Sequence, residues 1–123
     1  MGININNKNL KILVLGAGSI GMRHINNLII LKSDVYCWRV RNELFGELTK
    51  SHQLKELKYF PKSLKKFSGV VIATNPDTHL NFSKICVEQN IPFFLEKPLT
   101  NNYENTKKLY DIWSTNKNYV EVG

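Results

Sequence analysis

The sequence predicts a doubly wound α/β domain built on a parallel sheet, and three observations predict it. Short, nearly continuous apolar runs recur along the chain, the mark of strands buried on both faces. Between them lie longer stretches whose apolar residues return at helical spacing. Strands and helices that alternate in this way form βαβ crossovers, which make a parallel sheet with helices on its faces.

Taken in order, residues 1–9 are Asn-rich and read as a flexible leader, and residues 10–123 as one domain. Leu10–Leu15 (LKILVL) is the first buried strand. Ile20, His24, Leu28 and Leu31 then recur at helical spacing until Ser33. Asp34–Val40 is β-branched and aromatic, hence a second strand. Glu43–Ser51 reads as a helix, and Leu57–Phe60 as a short strand stopped by Pro61.

Gly69–Ala73 (GVVIA) is a fourth buried strand. Asn75 then suits an N-cap and Pro76 the first helical position. Phe82, Ile85, Cys86 and Gln89 share a helix face, and Asn90 can close the helix in the left-handed conformation. Pro92–Leu95 is the fifth strand, and Asn102–Ser114 a helix showing Tyr103, Thr106, Tyr110 and Trp113. Tyr119–Val122 begins a sixth strand.

Composition bounds the function. A chain of 123 residues allows one domain, and 42% hydrophobic residues against 22% charged are wrong for a disordered segment. No window approaches the roughly 18 uncharged apolar residues of a membrane span. Two cysteines, Cys37 and Cys86, lack the spacing of a metal site or a disulfide framework, so they read as reduced, buried thiols of a cytoplasmic protein. No metal site is expected. The net charge of +7 fits an anionic partner such as a phosphorylated small molecule. The densest basic run, Lys55 to Lys66 with Tyr59, Phe60 and Phe67 interleaved, reads as a solvated helix face and loop rather than a nucleic-acid surface.

Three motifs carry chemistry. Gly16-Ala17-Gly18-Ser19-Ile20-Gly21 is a G-x-G-x-x-G placed between a buried strand and a helix, the context that gives it meaning. Gly16 permits the tight turn, Gly18 lets a pyrophosphate approach the backbone, and Gly21 lets the helix pack close. Free N–H groups at the helix start then hold the anion. This makes the sheet a dinucleotide-binding Rossmann sheet, expected in the order 3-2-1-4-5-6. After the second strand comes Trp38-Arg39-Val40-Arg41, with no acid until Glu43. Guanidinium groups at Arg39 and Arg41 suit a ribose 2′-phosphate, so NADP is favoured over NAD. Glu96-Lys97-Pro98 closes the fifth strand, on the rim where ligands of open α/β sheets bind. There the Lys97 ammonium is a candidate catalytic group, its position and charge set by Glu96.

Together, the strand–GAGSIGMRH–helix segment, VVIATNPDTH and FFLEKPLT resemble the glucose-fructose oxidoreductase / inositol dehydrogenase / MocA (Gfo/Idh/MocA) family of NAD(P)-dependent oxidoreductases. The resemblance runs from about Leu10 to Gly123, and the Glu-Lys-Pro is its most specific part. It implies that Lys97 contacts nicotinamide and substrate, and that Thr74, Asn75, Pro76 and His79 line the cofactor crevice. Arg23-His24 looks like the family's first-helix signature, although His24 falls on the apolar helix face and so reads as a packed structural histidine.

The family also implies a second, C-terminal domain with most of the substrate pocket, the acid–base His and Asp residues and usually an oligomer interface. The 123 residues resemble only the cofactor half, so they are expected to be inactive alone, with a sugar, polyol or nucleotide-sugar as substrate of the complete enzyme. No nucleic acid or membrane partner is expected. The competing readings are a stand-alone NAD(P)-sensing module, a nucleic-acid binder resting on charge alone, and a methyltransferase using the glycine turn, which leaves Glu-Lys-Pro unexplained.

Overall fold

The computed structural model describes residues 10–114 and 120–123. The expected leader, residues 1–9, and Tyr119 lie outside the described residues.

Six strands form one all-parallel sheet: β1 (Lys11–Leu15), β2 (Asp34–Trp38), β3 (Lys55–Leu57), β4 (Gly69–Ile72), β5 (Phe93–Leu95) and β6 (Val120–Val122). Their order is β3-β2-β1-β4-β5-β6, the order expected. In the centre Ile12 sits opposite Gly69 and Leu15 opposite Ile72. All strands therefore end on one rim, where the connections leave.

Side-chain alternation divides the core in two. Leu13, Leu15, Tyr36, Val70, Ile72, Phe93 and Leu95 face a layer made by α2 (His79–Glu88) and α3 (Tyr103–Ser114). Val14, Val35, Cys37 and Val71 face α1 (Ser19–Ile30), which inserts Ile25. Among the described residues, no helix is long and apolar enough to cross a membrane.

Several local expectations shift. The first helix buries Gly21 and Ile25, whereas Ile20 and Leu31 are exposed, so its inner face is one residue out of step with the expected one. In the last helix the buried anchor is Leu109, while Tyr103 and Tyr110 are exposed. Asn90 does adopt a left-handed conformation, with φ 58°.

The helix expected over Glu43–Ser51 is a single 3-10 turn, Asn42–Leu44, followed by turns. The cause is Glu56 on β3. Its carboxylate accepts the N–H groups of Gly46 and Leu48 (3.1 Å for the latter), donors that a continuing helix would use for itself. Gly46 takes φ 93°, which ends helical geometry. The third strand lies two residues earlier than expected. The basic run accordingly spans a strand and turns, with Lys55 on Asp34 and Lys66 over the Tyr36 ring.

Candidate functional site

The glycine turn is a steric solution to crossing from β1 to α1 beside β4. Gly16 has φ 97°, and a Cβ there would lie 2.7 Å from the Ala73 carbonyl oxygen. A Cβ on Gly21 would lie 2.2 Å from the Gly16 carbonyl oxygen, so helix and turn touch through bare backbone. Gly18 is different: it is exposed, and nothing lies within 4 Å of where its Cβ would stand. It occupies the N-cap position with no side-chain cap, so the N–H groups of Ser19, Ile20 and Gly21 have no capping side chain.

In front of this turn opens a crevice of about 340 Å³. Its walls are Gly16, Ala17 and Gly18 after β1, Arg39, Val40, Arg41 and Leu44 after β2, and Ala73, Thr74 and Asn75 after β4. The structure thus brings together Gly16 and Gly18, both arginines and two residues of the post-β4 segment named from sequence, Thr74 and Asn75, while Gly21 is buried in the helix. The fit to a dinucleotide is sound: backbone donors at an open helix start, room where Gly18 lacks a Cβ, and cations at the far end.

The two arginines differ. Arg39 Nη2 lies 3.1 Å from Glu56 Oε1 and also donates to the Leu44 carbonyl. Its side chain is 17% exposed and that of Glu56 4%. Arg41 is exposed and meets Glu43, also exposed, at 3.1 Å. The Glu43 carboxyl is held below its ordinary range by a backbone hydrogen bond at its own residue and then by Arg41.

Thr74, Asn75 and Pro76 enter α2 through a 3-10 turn, Pro76–Thr78. Thr78 Oγ1 donates 2.6 Å to the Asn75 carbonyl and lies 2.6 Å from Thr74 Oγ1. His79, expected on the crevice wall, is 1% exposed and faces inward. Its Nδ1 lies 3.0 Å from the Leu99 carbonyl and its Nε2 2.9 Å from the Thr74 carbonyl. The imidazole thus spans the two loops that follow β4 and β5 and offers no face to a ligand.

Glu96 and Lys97 also separate. The Glu96 N–H still bonds the Ile72 carbonyl at 3.1 Å, so alternation turns its side chain to the α1 face, beside Phe94. There Oε2 accepts from His24 Nε2 at 2.6 Å, and His24 packs edge-on to Phe94. His24 is therefore packed, but at the strand end and in a polar pair. Lys97 is exposed on the same rim as the glycine turn, before a cis Lys97–Pro98 bond. Among the described residues, no hydrogen bond or ion pair joins Lys97 to Glu96.

Sequence reasoning missed two partners, His24 for Glu96 and Glu56 for Arg39. Strand alternation offers a signal for the first. The second has only a lone acid in a basic run as its cue. Cys37 lies beside the Arg39–Glu56 pair, and burial pushes its thiol up to about 12, with Arg39 opposing and Glu56 adding. Among the described residues, no three His, Cys, Asp or Glu side chains are grouped to hold a metal.

Comparison with known proteins agrees with this geometry. Residues 10–123 match the oxidoreductase family with an NAD-binding Rossmann fold. Among solved structures, the chain is similar to the WlbA dehydrogenase from Bordetella pertussis in complex with NADH and UDP-GlcNAcA. That likeness has 14% identity and TM-score 0.78, over 94% of this chain and 37% of the other. The myo-inositol dehydrogenase from Lactobacillus casei, in complex with NAD(H) and myo-inositol, is similar at 20% identity and TM-score 0.78, over 94% and 36%. So is the biliverdin reductase from Synechocystis sp. PCC 6803, in complex with biliverdin and NADP+, at 16% identity and TM-score 0.75, over 92% and 37%. The chain thus spans little more than a third of the length of these proteins. No curated protein matches it. With the glycine turn, the strand order and the family match in agreement, the chain belongs to the Gfo/Idh/MocA oxidoreductase family, of which it carries the NAD-binding Rossmann domain.

Proposed function

We propose that these residues bind NADP, and NAD more weakly, for an oxidoreductase acting on a CH–OH group of a sugar, polyol or nucleotide-sugar. The observation that carries the reading is the open crevice between the glycine turn and the post-β4 segment, with Gly18 leaving space for a phosphate and arginines at its far end. Gly16, Ala17 and Gly18, with the N–H groups of Ser19, Ile20 and Gly21, hold the pyrophosphate. Thr74 and Asn75 form the opposite wall, and Pro76 follows them into the 3-10 turn. Arg41 gives the ribose end its preference for a 2′-phosphate, while Arg39 is tied to Glu56 in the wall beside it.

The bound cofactor supplies a hydride acceptor or donor. Lys97 contributes an ammonium with three donors, suited to hold and polarise a substrate oxygen on the shared rim. Glu96 is a positioning residue, since its carboxylate is committed to His24. The substrate class rests on two similar proteins, solved with UDP-GlcNAcA and with myo-inositol. Hydride transfer also needs the substrate carbon held in near-attack geometry and a proton acceptor nearby. One lysine does not provide both, so these 123 residues bind cofactor without turning substrate over. The buried, unpaired cysteines suit a reducing, cytoplasmic setting.

Titration with NADPH, followed by its emission, tests the reading: saturable binding is expected, with NADH weaker. Binding that survives unchanged in Gly18→Val refutes the glycine turn as the site.

A further inference from the structure

Two arginines border the crevice, yet their surroundings are unequal. The Arg39 guanidinium is shared between Glu56 Oε1 at 3.1 Å and the Leu44 carbonyl. Glu56 is itself almost wholly enclosed, and its carboxylate also receives the N–H groups of Gly46 and Leu48. Arg39, Glu56 and the Asn42–Leu48 turn therefore form one knot. A charge paired and enclosed in this way is neutralised locally and expensive to separate. Arg41 has only the exposed carboxylate of Glu43, a contact that water and salt weaken.

We propose that Glu56 is a specificity-determining residue that withholds Arg39 from the ligand, so that Arg41 alone recognises a 2′-phosphate. Arg39 is then the tie that fixes the wall of the crevice, and the preference for NADP over NAD is held to what one exposed guanidinium gives. This rests on the proposed dinucleotide site and deepens it: the acid that limits the preference comes from β3, not from the end of β2.

Replacing Glu56 by Gln keeps an oxygen for a backbone N–H but removes the charge that holds the guanidinium. Arg39 is then free to join Arg41 at the phosphate.

The test is the ratio of NADPH to NADH affinity, by fluorescence titration of the 123-residue chain and its variants. A purely structural loss weakens both cofactors alike and leaves the ratio where it was. Glu56→Gln is expected to raise the ratio about three- to tenfold, and Arg41→Ala to lower it about tenfold, the loss of one charge-assisted contact. Arg39→Ala is expected to lower the melting temperature and leave the ratio within about twofold. An unchanged ratio in Glu56→Gln overturns the proposal. Should that variant not fold, Arg39→Ala and Arg41→Ala decide: an equal fall of the ratio in both overturns it, and a fall in Arg41→Ala alone upholds it. Binding of neither cofactor by the wild type removes the dinucleotide reading itself, an outcome distinct from equal ratios with binding intact.

Discussion

His24 Nε2 and Glu96 Oε2 lie 2.6 Å apart, which ties the helix that starts at the glycine turn to the strand end that carries Lys97. The side chains are 22% and 20% exposed, so water screens the pair only in part. It fixes the separation between the phosphate-binding and lysine-bearing parts of the rim across two strands.

Breaking this tie has a measurable cost. His24→Ala and Glu96→Ala are each expected to lower stability by about 1 kcal/mol, with a coupling of similar size in the double mutant. Urea melts of the four proteins measure it. Strict additivity of the single effects shows that the contact is energetically empty.

The glycines separate fold from ligand. Gly21→Ala forces a Cβ to within 2.2 Å of the Gly16 carbonyl oxygen and is expected to destabilise the domain by about 3 kcal/mol. Gly18→Ala meets nothing within 4 Å and has a φ of −69° that any residue adopts, so its melting temperature should match wild type. Its NADPH affinity should fall about tenfold or more, because the methyl takes the room of the phosphate. Thermal melts and titrations on the same samples read both effects.

Burial raises the Cys37 and Cys86 thiols from an ordinary value near 9 to about 12. A thiol whose folded value is raised stabilises the fold fully below its unfolded value. That contribution is lost as pH climbs from about 9 towards about 12, where the unfolded chain ionises first. Denaturant melts should therefore weaken from pH 8 to pH 10.5. Iodoacetamide at pH 8 should alkylate the native protein at least about a hundredfold more slowly than the urea-unfolded chain. Rapid native labelling contradicts the enclosure of both thiols.

His79 sits between the Thr74 and Leu99 carbonyls inside the fold, with one ring nitrogen near each. His79→Ala removes that bridge, with the hydrogen bond its N–H donates, and leaves a cavity beside the carbonyls, and is expected to cost about 3 kcal/mol. Hydrogen exchange should quicken in the post-β4 and post-β5 loops before it quickens in the β1–β4 core. Uniform acceleration throughout means that His79 is no local staple.

The strand pattern and strand order were legible because runs such as LKILVL and GVVI are apolar on both faces, and few folds accept that. The glycine turn was legible because its three glycines meet distinct backbone constraints, two of them direct collisions. Helix faces were read less well: Leu31 and Tyr110 are apolar yet exposed, and periodicity alone assigned them inward. The helix expected after β2 failed because Glu56, more than a helical turn away in sequence, takes its backbone donors. Glu96 was assigned to its neighbour Lys97, whereas alternation along β5 sends it to His24. Adjacent residues in an extended segment point to opposite sides, and the partner lay seventy-two positions away.

The pairing of β1 with β4 at the centre of the sheet has a consequence for synthesis. Gly69–Ile72 leaves the ribosome long after Lys11–Leu15, on the order of seconds later at ~5–20 residues per second. Through that interval Leu13, Val14 and Leu15 have β2 as their neighbour on one side and an unfilled hydrogen-bonding edge on the other. The nascent front half is therefore the form most exposed to wrong strand pairing and to chaperone capture. Slow codons placed just before Gly69 would lengthen the exposure and lower the yield of folded chain.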